Sequence, residues 1–130
     1  MSNILLIKNK IKKFNKKITI SGDKSISIRW VLLASQAIGK SKAYNLLMSE
    51  DVVAALDAIK KLGIKVSIQK NHCEVYGKGI NNFKYKNGLI IDAKNSGTFG
   101  RLILGLLVKS PRKIKIIGDK SLSKRDFLRV

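Results

Sequence analysis

The chain has 130 residues, of which 45% are hydrophobic, so it suits one domain with a modest core and is not a disordered segment. Its 27 basic and 8 acidic residues give a net charge of +19, which favours anionic partners and predicts salt-sensitive association. Single Cys73 and His72 residues exclude an internal disulfide and a Cys/His zinc site, and they favour a reducing, cytoplasmic location.

The first predicted elements are two short strands, residues 4–7 and 17–20. The four consecutive apolar residues of the first run have no basic segment before them and are too few for a signal peptide or a membrane span. The Lys-rich stretch between the strands has two explanations. It is either a solvated edge that discourages strand pairing or a patch that steers anions.

A helix and a strand come next. The helix is predicted over residues 25–38 and ends at Gly39, which suits a left-handed C-terminal cap. The helical spacing of apolar residues predicts that its core face contains Ile26, Trp30, Leu33, Ala34 and Ala37. Residues 42–47 predict the strand that follows.

A second helix is predicted from Ser49 to Gly63, with Asp51 as an acid in the first turn that stabilises the positive helix end. Residues 64–69 and 72–76 alternate apolar and polar side chains, which predicts a β-hairpin. Residues 77–88 are polar and rich in turn formers and predict a loop.

The last predicted elements are a strand over residues 89–92, a third helix that starts near Phe99 and ends before Pro111, and a strand over residues 113–117. The order of elements is that of a mixed α/β fold. A further helix is expected to begin at Arg125, and because no room remains to bury its face, the sequence is expected to continue beyond Val130.

Three turns between a strand and a helix share one composition. Residues 22–29, GDKSISIR, return as residues 118–125, GDKSLSKR, with six of eight positions identical, and residues 95–101, NSGTFGR, are similar. A helix N-terminus has unbonded N–H groups and a positive dipole end, so together with Lys or Arg it attracts phosphate or carboxylate. Three of the five Arg lie in these turns, whereas the 22 Lys are scattered. We interpret the turns as anion-binding sites.

Common nucleotide motifs do not explain these turns, because the P-loop spacing and a G-x-G-x-x-G run are both absent from the sequence. Five segments instead resemble, in order and spacing, the 5-enolpyruvylshikimate-3-phosphate (EPSP) synthase family: residues 21–29, 45–52, 58–63, 95–101 and 118–125. The resemblance is collinear over most of the chain. It corresponds to the N-terminal part of a family chain about three times longer, so the active site is expected to be incomplete and this chain inactive alone.

The resemblance implies transfer of the enolpyruvyl (carboxyvinyl) group of phosphoenolpyruvate to the 5-hydroxyl of shikimate 3-phosphate, with release of phosphate and without a metal or other cofactor. It implies that Lys24 is catalytic and contacts both substrates. Ser25 and Arg29 are implied to bind shikimate 3-phosphate, and Gly97 and Arg125 to bind phosphoenolpyruvate. Weaker candidates in the same motif are Asn95, Thr98 and Arg101.

The fold implied by the resemblance is the inverse α/β barrel of the enolpyruvyl transferases, with two domains of repeated β-α-β-α-β-β units. Residues 1–20 are then a strand segment of one domain, and residues 21–130 are part of the other. The resemblance further implies a cytoplasmic enzyme that is monomeric at full length, with small anions as partners rather than a membrane or a specific nucleic acid. Ile28 and Asp126 depart from the family pattern, in which the first is usually polar and the second often Pro.

Two alternatives are kept. One is the related enolpyruvyl transferase that acts on UDP-N-acetylglucosamine, although its first turn has Gly-Ala-Lys-Asn rather than Gly-Asp-Lys-Ser. The other is a small basic nucleic-acid-binding module, suggested by the net charge of +19. The aromatic residues are predicted to be spread through core stripes and loops rather than interleaved with basic residues on one face, which argues against this module.

Overall fold

The computed structural model of the protein describes residues 4–10 and 13–128. Its helices and strands alternate in the mixed α/β order that the sequence predicts from residue 24 onward. They are α1 (Lys24–Gln36), β1 (Ile38–Tyr44), α2 (Glu50–Lys61), β2 (Lys65–Ile68), β3 (His72–Lys78), β4 (Leu89–Asp92), α3 (Gly97–Leu107), β5 (Ile114–Ile117) and a 3-10 turn, Leu122–Lys124.

The strands form two sheets. In the first sheet β3 lies between β1 and β2 and is antiparallel to both, so the predicted hairpin of β2 and β3 is confirmed. In the second sheet β4 and β5 are parallel, with Leu89 opposite Ile114 and Asp92 opposite Ile117. Because α3 connects these parallel strands, its start lies at the end of β4 and faces the turn that follows β5.

The core lies between the helices and the sheets. Helix α1 packs against α2, α3 and β3, and α2 also packs against β2 and β4. The largest fully buried side chains come from all three helices and from the strands beneath them, among them Phe99, Ile28, Leu56, Ile59 and Ile91. Helical spacing in the sequence predicts a core stripe in α3 of Phe99, Leu102, Ile103, Leu106 and Leu107. The stripe is largely confirmed, since Phe99, Ile103 and Leu107 are buried.

The core face predicted for α1 is only partly correct: Ala34 is buried and Trp30 packs against the core, but other members of the predicted face are exposed. Ile26 and Leu33 are 69% and 68% exposed, and Trp30 is only partly buried. The buried face instead includes Ser27 and Ser35. Each of these serines satisfies its hydroxyl locally: Ser35 Oγ donates to the Leu32 carbonyl at 2.6 Å, and Ser27 Oγ accepts from the Leu47 amide at 3.1 Å.

The ends of α1 and β1 also differ from the prediction. Helix α1 ends at Gln36 with Ala37 as its C-cap, and Gly39 lies inside β1 with a φ of +90° rather than capping the helix. The strand begins four residues earlier than predicted and ends before Asn45, which adopts a φ of +54°. The end of α2 is confirmed, because Gly63 follows it with a φ of +84°.

The two predicted N-terminal strands are not formed. Residues 4–10 and 13–23 lie outside every helix and strand, and Ile4, Leu5 and Ile7 are more than 80% exposed. A strand is stable only when another strand accepts its backbone hydrogen bonds. The described part of the chain offers residues 4–7 and 17–20 no such partner.

Candidate anion-binding site at the helix starts

The three turns identified in the sequence share one capping geometry. Asp23 Oδ1 accepts a hydrogen bond from the Ile26 amide at 2.7 Å, and Asp119 Oδ1 accepts one from the Leu122 amide, also at 2.7 Å. At the start of α3, Ser96 Oγ accepts from the Phe99 amide at 3.3 Å. Each turn therefore satisfies one N–H group three residues after its cap and directs the preceding N–H groups outward.

The internal repeat extends to the backbone and to the arginines. The Ser27 amide donates to the Asp23 carbonyl at 3.0 Å, and the Ser123 amide donates to the Asp119 carbonyl at 2.9 Å. Arg29 Nη1 reaches back to the carbonyl of Ser25 at 3.0 Å. Arg125 Nη2 reaches back to Ser121 Oγ at 3.5 Å, so both arginines bond the residue four positions earlier. The two copies differ beyond the first turn, because Arg29 lies within α1 whereas Arg125 is extended after the 3-10 turn.

Gly22 is required by a close approach rather than by an unusual backbone angle. A Cβ atom at this position would lie 2.2 Å from the carbonyl oxygen of Asn45 and 3.1 Å from the amide nitrogen of Leu47. The segment before α1 therefore packs against the segment that follows β1. This contact fixes where the α1 N-terminus, with Lys24 and Ser25, is presented.

At the start of α1 the cations have local acidic or carbonyl partners. Lys24 Nζ lies 2.9 Å from Asp51 Oδ2, and Asp51 is only 8% exposed. Asp51 was predicted as a first-turn acid of α2, and it does lie there, but its carboxylate also pairs with Lys24. Sequence reasoning missed this pairing, because the two residues are 27 positions apart in the chain.

At the start of α3 two guanidinium groups converge on one glycine. A Cβ atom at Gly97 would lie 2.9 Å from Arg125 Nη1 and 3.0 Å from Arg101 Nη1. The absence of a side chain at Gly97 therefore leaves the space that both groups occupy. The structure thus brings Arg125 to Gly97 and Arg101, which lie 28 and 24 positions earlier in the sequence. No ion pair to either arginine is present among the described residues.

Arg101 is supported from the opposite side by the segment after the 3-10 turn. Its Nη2 donates to the Asp126 carbonyl at 2.8 Å, and its guanidinium carbon lies 5.1 Å from the centre of the Phe127 ring. Asp126 stands where the family often has Pro, and its carboxylate accepts a hydrogen bond from the Leu128 amide at 2.7 Å. Sequence reasoning did not identify Phe127, and no motif marked it.

The remaining candidates of the α3 turn are less engaged. Asn95 is exposed and Thr98 is partly buried, and neither side chain makes a hydrogen bond within the described part of the chain. Behind them Asp92 accepts from the Lys94 amide at 2.8 Å and pairs with Lys94 Nζ at 2.8 Å. These hydrogen bonds from Lys94 hold the pKa of Asp92 below its usual value and fix the turn that leads into α3.

Helices α1 and α3 pack against each other. Within residues 4–10 and 13–128, no hydrogen bond or ion pair joins the candidate residues at the start of α1 to those at the start of α3. A cavity of about 830 Å³ is a mostly apolar cleft between the C-terminal half of α3 and β5, and Phe127 with residues 118, 122 and 123 of the third turn also lines it. No cluster of three or more His, Cys, Asp or Glu side chains suited to a metal occurs in the described residues, and no described helix is long and apolar enough to cross a membrane.

Most aromatic residues lie in the core, against it or in a loop, as predicted, but two do not. On the outer face of the first sheet, Tyr44 and Tyr76 do lie among lysines: Lys42 Nζ is 5.2 Å from the Tyr44 ring centre, and Lys65 Nζ is 5.1 Å from that of Tyr76. The ammonium groups occupy positions over the rings, where a nucleic-acid base would stack. The acidic Glu74 also lies on this face, with the Tyr76 hydroxyl donating to it at 2.8 Å and keeping its pKa low.

Comparison with known proteins supplies the family. A family model described as EPSP synthase (3-phosphoshikimate 1-carboxyvinyltransferase) matches residues 8–130. The chain belongs to the EPSP synthase family. The 3-phosphoshikimate 1-carboxyvinyltransferase of Leuconostoc mesenteroides is 43% identical over 114 residues, which are 88% of this chain and 26% of the relative. That of Bacillus subtilis is 35% identical over 123 residues, which are 95% of this chain and 28% of the relative.

The fold agrees with this family. The structure of EPSP synthase from Acinetobacter baumannii matches 88% of this chain with a TM-score of 0.77 and 33% identity, and the match covers 26% of that protein. The mixed α/β class and the partial enolpyruvyl transferase fold are therefore confirmed. The chain spans about a quarter of the length of the EPSP synthases it matches.

Proposed function

We propose that this chain supplies two substrate-binding helix starts of an enzyme that transfers the enolpyruvyl group of phosphoenolpyruvate to the 5-hydroxyl of shikimate 3-phosphate. The observation that carries the proposal is the convergence of Arg101 and Arg125 on Gly97 in a chain of the EPSP synthase family. Two guanidinium groups and the adjoining helix N–H groups match an anion with several oxygens. The reaction belongs to aromatic amino acid biosynthesis.

The α3 end is assigned to phosphoenolpyruvate. Gly97 admits the ligand close to the backbone, and Arg125 with Arg101 binds its phosphate or carboxylate. Asn95 and Thr98 flank this position and are assigned to the rim of the site. Positive groups fixed at this point also stabilise charge that develops when phosphate leaves, because they need not reorganise during the reaction.

The α1 end is assigned to shikimate 3-phosphate. Ser25 and Arg29 follow each other by one helical turn, and Lys24 is held at the first position of the helix by Asp51. Lys24 is assigned a catalytic role in contact with both ligands, as the family resemblance implies. In this scheme a substrate phosphate replaces the Ser25 carbonyl as the partner of Arg29.

The complete reaction is assigned to a protein of full family length, cytoplasmic and monomeric, in which residues 1–20 join the other domain. We expect the 130-residue chain alone to give no measurable turnover, since it spans about a quarter of its relatives. The test is phosphate release from the two substrates together. Release above the rate of a heat-denatured sample would overturn this expectation.

Binding tests the assignment of the two ends directly. The ¹⁵N-labelled chain is titrated separately with phosphoenolpyruvate and with shikimate 3-phosphate, and backbone and arginine side-chain signals are followed by NMR. We expect phosphoenolpyruvate to shift the signals of Gly97 and Arg125, and shikimate 3-phosphate those of Ser25 and Arg29. Shifts spread over the surface lysines, or no saturable shift at either helix start, would contradict the assignment. Lys70→Gln, which removes one exposed charge in the β2–β3 turn, is the control for non-specific attraction.

A further inference from the structure

Arg101 is aimed at the α3 site by a contact that comes from outside the anion-binding turns. Its Nη1 lies 3.0 Å from the Cβ position of Gly97, while its Nη2 is bonded to the Asp126 carbonyl at 2.8 Å. One face of the guanidinium lies 5.1 Å from the centre of the Phe127 ring. The Asp126 carbonyl thus holds the guanidinium at Nη2 and the Phe127 ring holds its face, while Nη1 lies next to Gly97.

We propose that Phe127 is a positioning residue, which, with the Asp126 carbonyl, holds the Arg101 guanidinium in the anion site at Gly97. This inference rests on the proposed function of the α3 end and adds a residue that is neither in the repeated turn nor in contact with the ligand.

Charge explains why such a support is needed. Arg101 and Arg125 both lie within hydrogen-bonding distance of the same point, and like charges that close repel each other. Without a ligand, a flexible arginine lowers this energy by turning away into solvent. A cation–π contact and a backbone carbonyl oppose that movement without adding a negative charge that would compete with the anion.

The position of Phe127 suits this role. Its ring is partly buried against the core, and the ring edge would lie 3.5 Å from a Cβ atom at Gly100, so the ring packs against the first turn of α3. A ring anchored on that turn moves with the helix that carries Arg101. Phe127 therefore keeps its position relative to Arg101 and Gly97.

The test is a double-mutant cycle on phosphoenolpyruvate binding by the 130-residue chain. Phe127→Leu is expected to weaken binding about fivefold in the wild-type background, because it removes the cation–π contact. In the Arg101→Gln background the same change is expected to have almost no effect, because Phe127 acts through Arg101. Phe127→Tyr, which keeps the ring, should bind as the wild type does. Leu128→Ala, an apolar truncation at a residue that is 93% exposed, is the matched control.

A second measurement needs no ligand and separates this proposal from the proposed function. In Phe127→Leu, the ¹⁵N relaxation of the arginine Nε groups should show that the Arg101 side chain becomes less ordered while the order of the Arg125 side chain is unchanged. An unchanged Arg101 signal, or an equal loss of affinity in both backgrounds of the cycle, would overturn the positioning role. If the wild-type chain does not bind phosphoenolpyruvate but Arg101 is ordered by Phe127, the positioning stands and the proposed substrate is wrong.

Discussion

The α1 and α3 starts are built on one turn, yet they differ in charge. At α1 the cap is Asp23, Lys24 is paired with Asp51, and Arg29 is bonded to its own helix. At α3 the cap is the neutral Ser96, and two guanidinium groups face one glycine. The first site is partly neutralised by the protein itself, whereas the second has an excess of positive charge. If the proposed function holds, the residues around each helix start adapt the same turn geometry to a different ligand.

The largest expected difference between the two ends concerns their glycines. Gly22→Ala forces a Cβ to 2.2 Å from a backbone carbonyl, so we expect a loss of about 3 kcal/mol in the free energy of unfolding. At Gly97 the nearest atoms are the ends of two flexible arginines, which can move aside, so Gly97→Ala is expected to change stability by less than about 0.5 kcal/mol. Urea unfolding followed by circular dichroism measures both values.

The outcome for Gly97 has a second part. Because the added methyl group pushes Arg101 and Arg125 away from the site, phosphoenolpyruvate affinity should fall even though stability is kept. Equal losses of stability in the two variants would show that both glycines serve only the fold, and the distinction between the ends would be lost.

The next effect compares the two repeated arginines. Arg125→Gln is expected to weaken phosphoenolpyruvate binding at least about tenfold, because it removes a charge-assisted hydrogen bond. Arg29→Gln has the same chemistry and the same position in the repeat, and it should change this affinity less than about twofold. Isothermal titration calorimetry of both variants provides the measurement. Similar losses in both would mean that charge alone, and not the site at α3, determines binding.

The sequence predicts much of the fold that carries these ends. The apolar stripe of α3 and the alternation in β2 and β3 indicate their own structure. The caps Asp23, Ser96 and Asp119 are not among the predictions, although each is a residue type that favours this position. The buried face of α1 is not predictable in this way, because Ser27 and Ser35 become buried only when Leu47 and the Leu32 carbonyl satisfy them. Hydrophobic periodicity gives no weight to such serines.

The sequence predicts the cations of the candidate site but not the residues that contact them. Lys24, Arg101 and Arg125 are prominent in the sequence because they sit in turns of similar composition. Asp51 and Phe127 acquire their roles through contacts between distant parts of the chain, and pairing of that kind has no local pattern. The N-terminal strands fail for a related reason: an alternating run indicates a strand only when another strand is present to bind it.

A smaller effect is expected from Asp51. Asp51→Asn leaves Lys24 without its carboxylate, so inorganic phosphate should bind the α1 end about fivefold more tightly, since one negative charge near the site is removed. Stability should fall by no more than about 1 kcal/mol, because Lys24 is half exposed and Asp51 also stabilises the α2 N-terminus. The NMR signals of Ser25 report the binding. Weaker phosphate binding would instead show that Asp51 is needed to hold Lys24 in place.

The smallest effect concerns the acid behind the α3 end. The Lys94 side chain and amide lower the pKa of Asp92, so its ionised form stabilises the folded chain at pH values above the ordinary pKa of Asp. This stabilisation is lost as the pH falls through the lowered pKa. Wild type should therefore exceed Asp92→Asn in melting temperature at pH 6, by the equivalent of less than about 1 kcal/mol, and the two should converge near pH 2. A difference in melting temperature that persists in acid would mean that the Asp92 side chain acts through packing. Other contacts would then stabilise Lys94 at its φ of +53°.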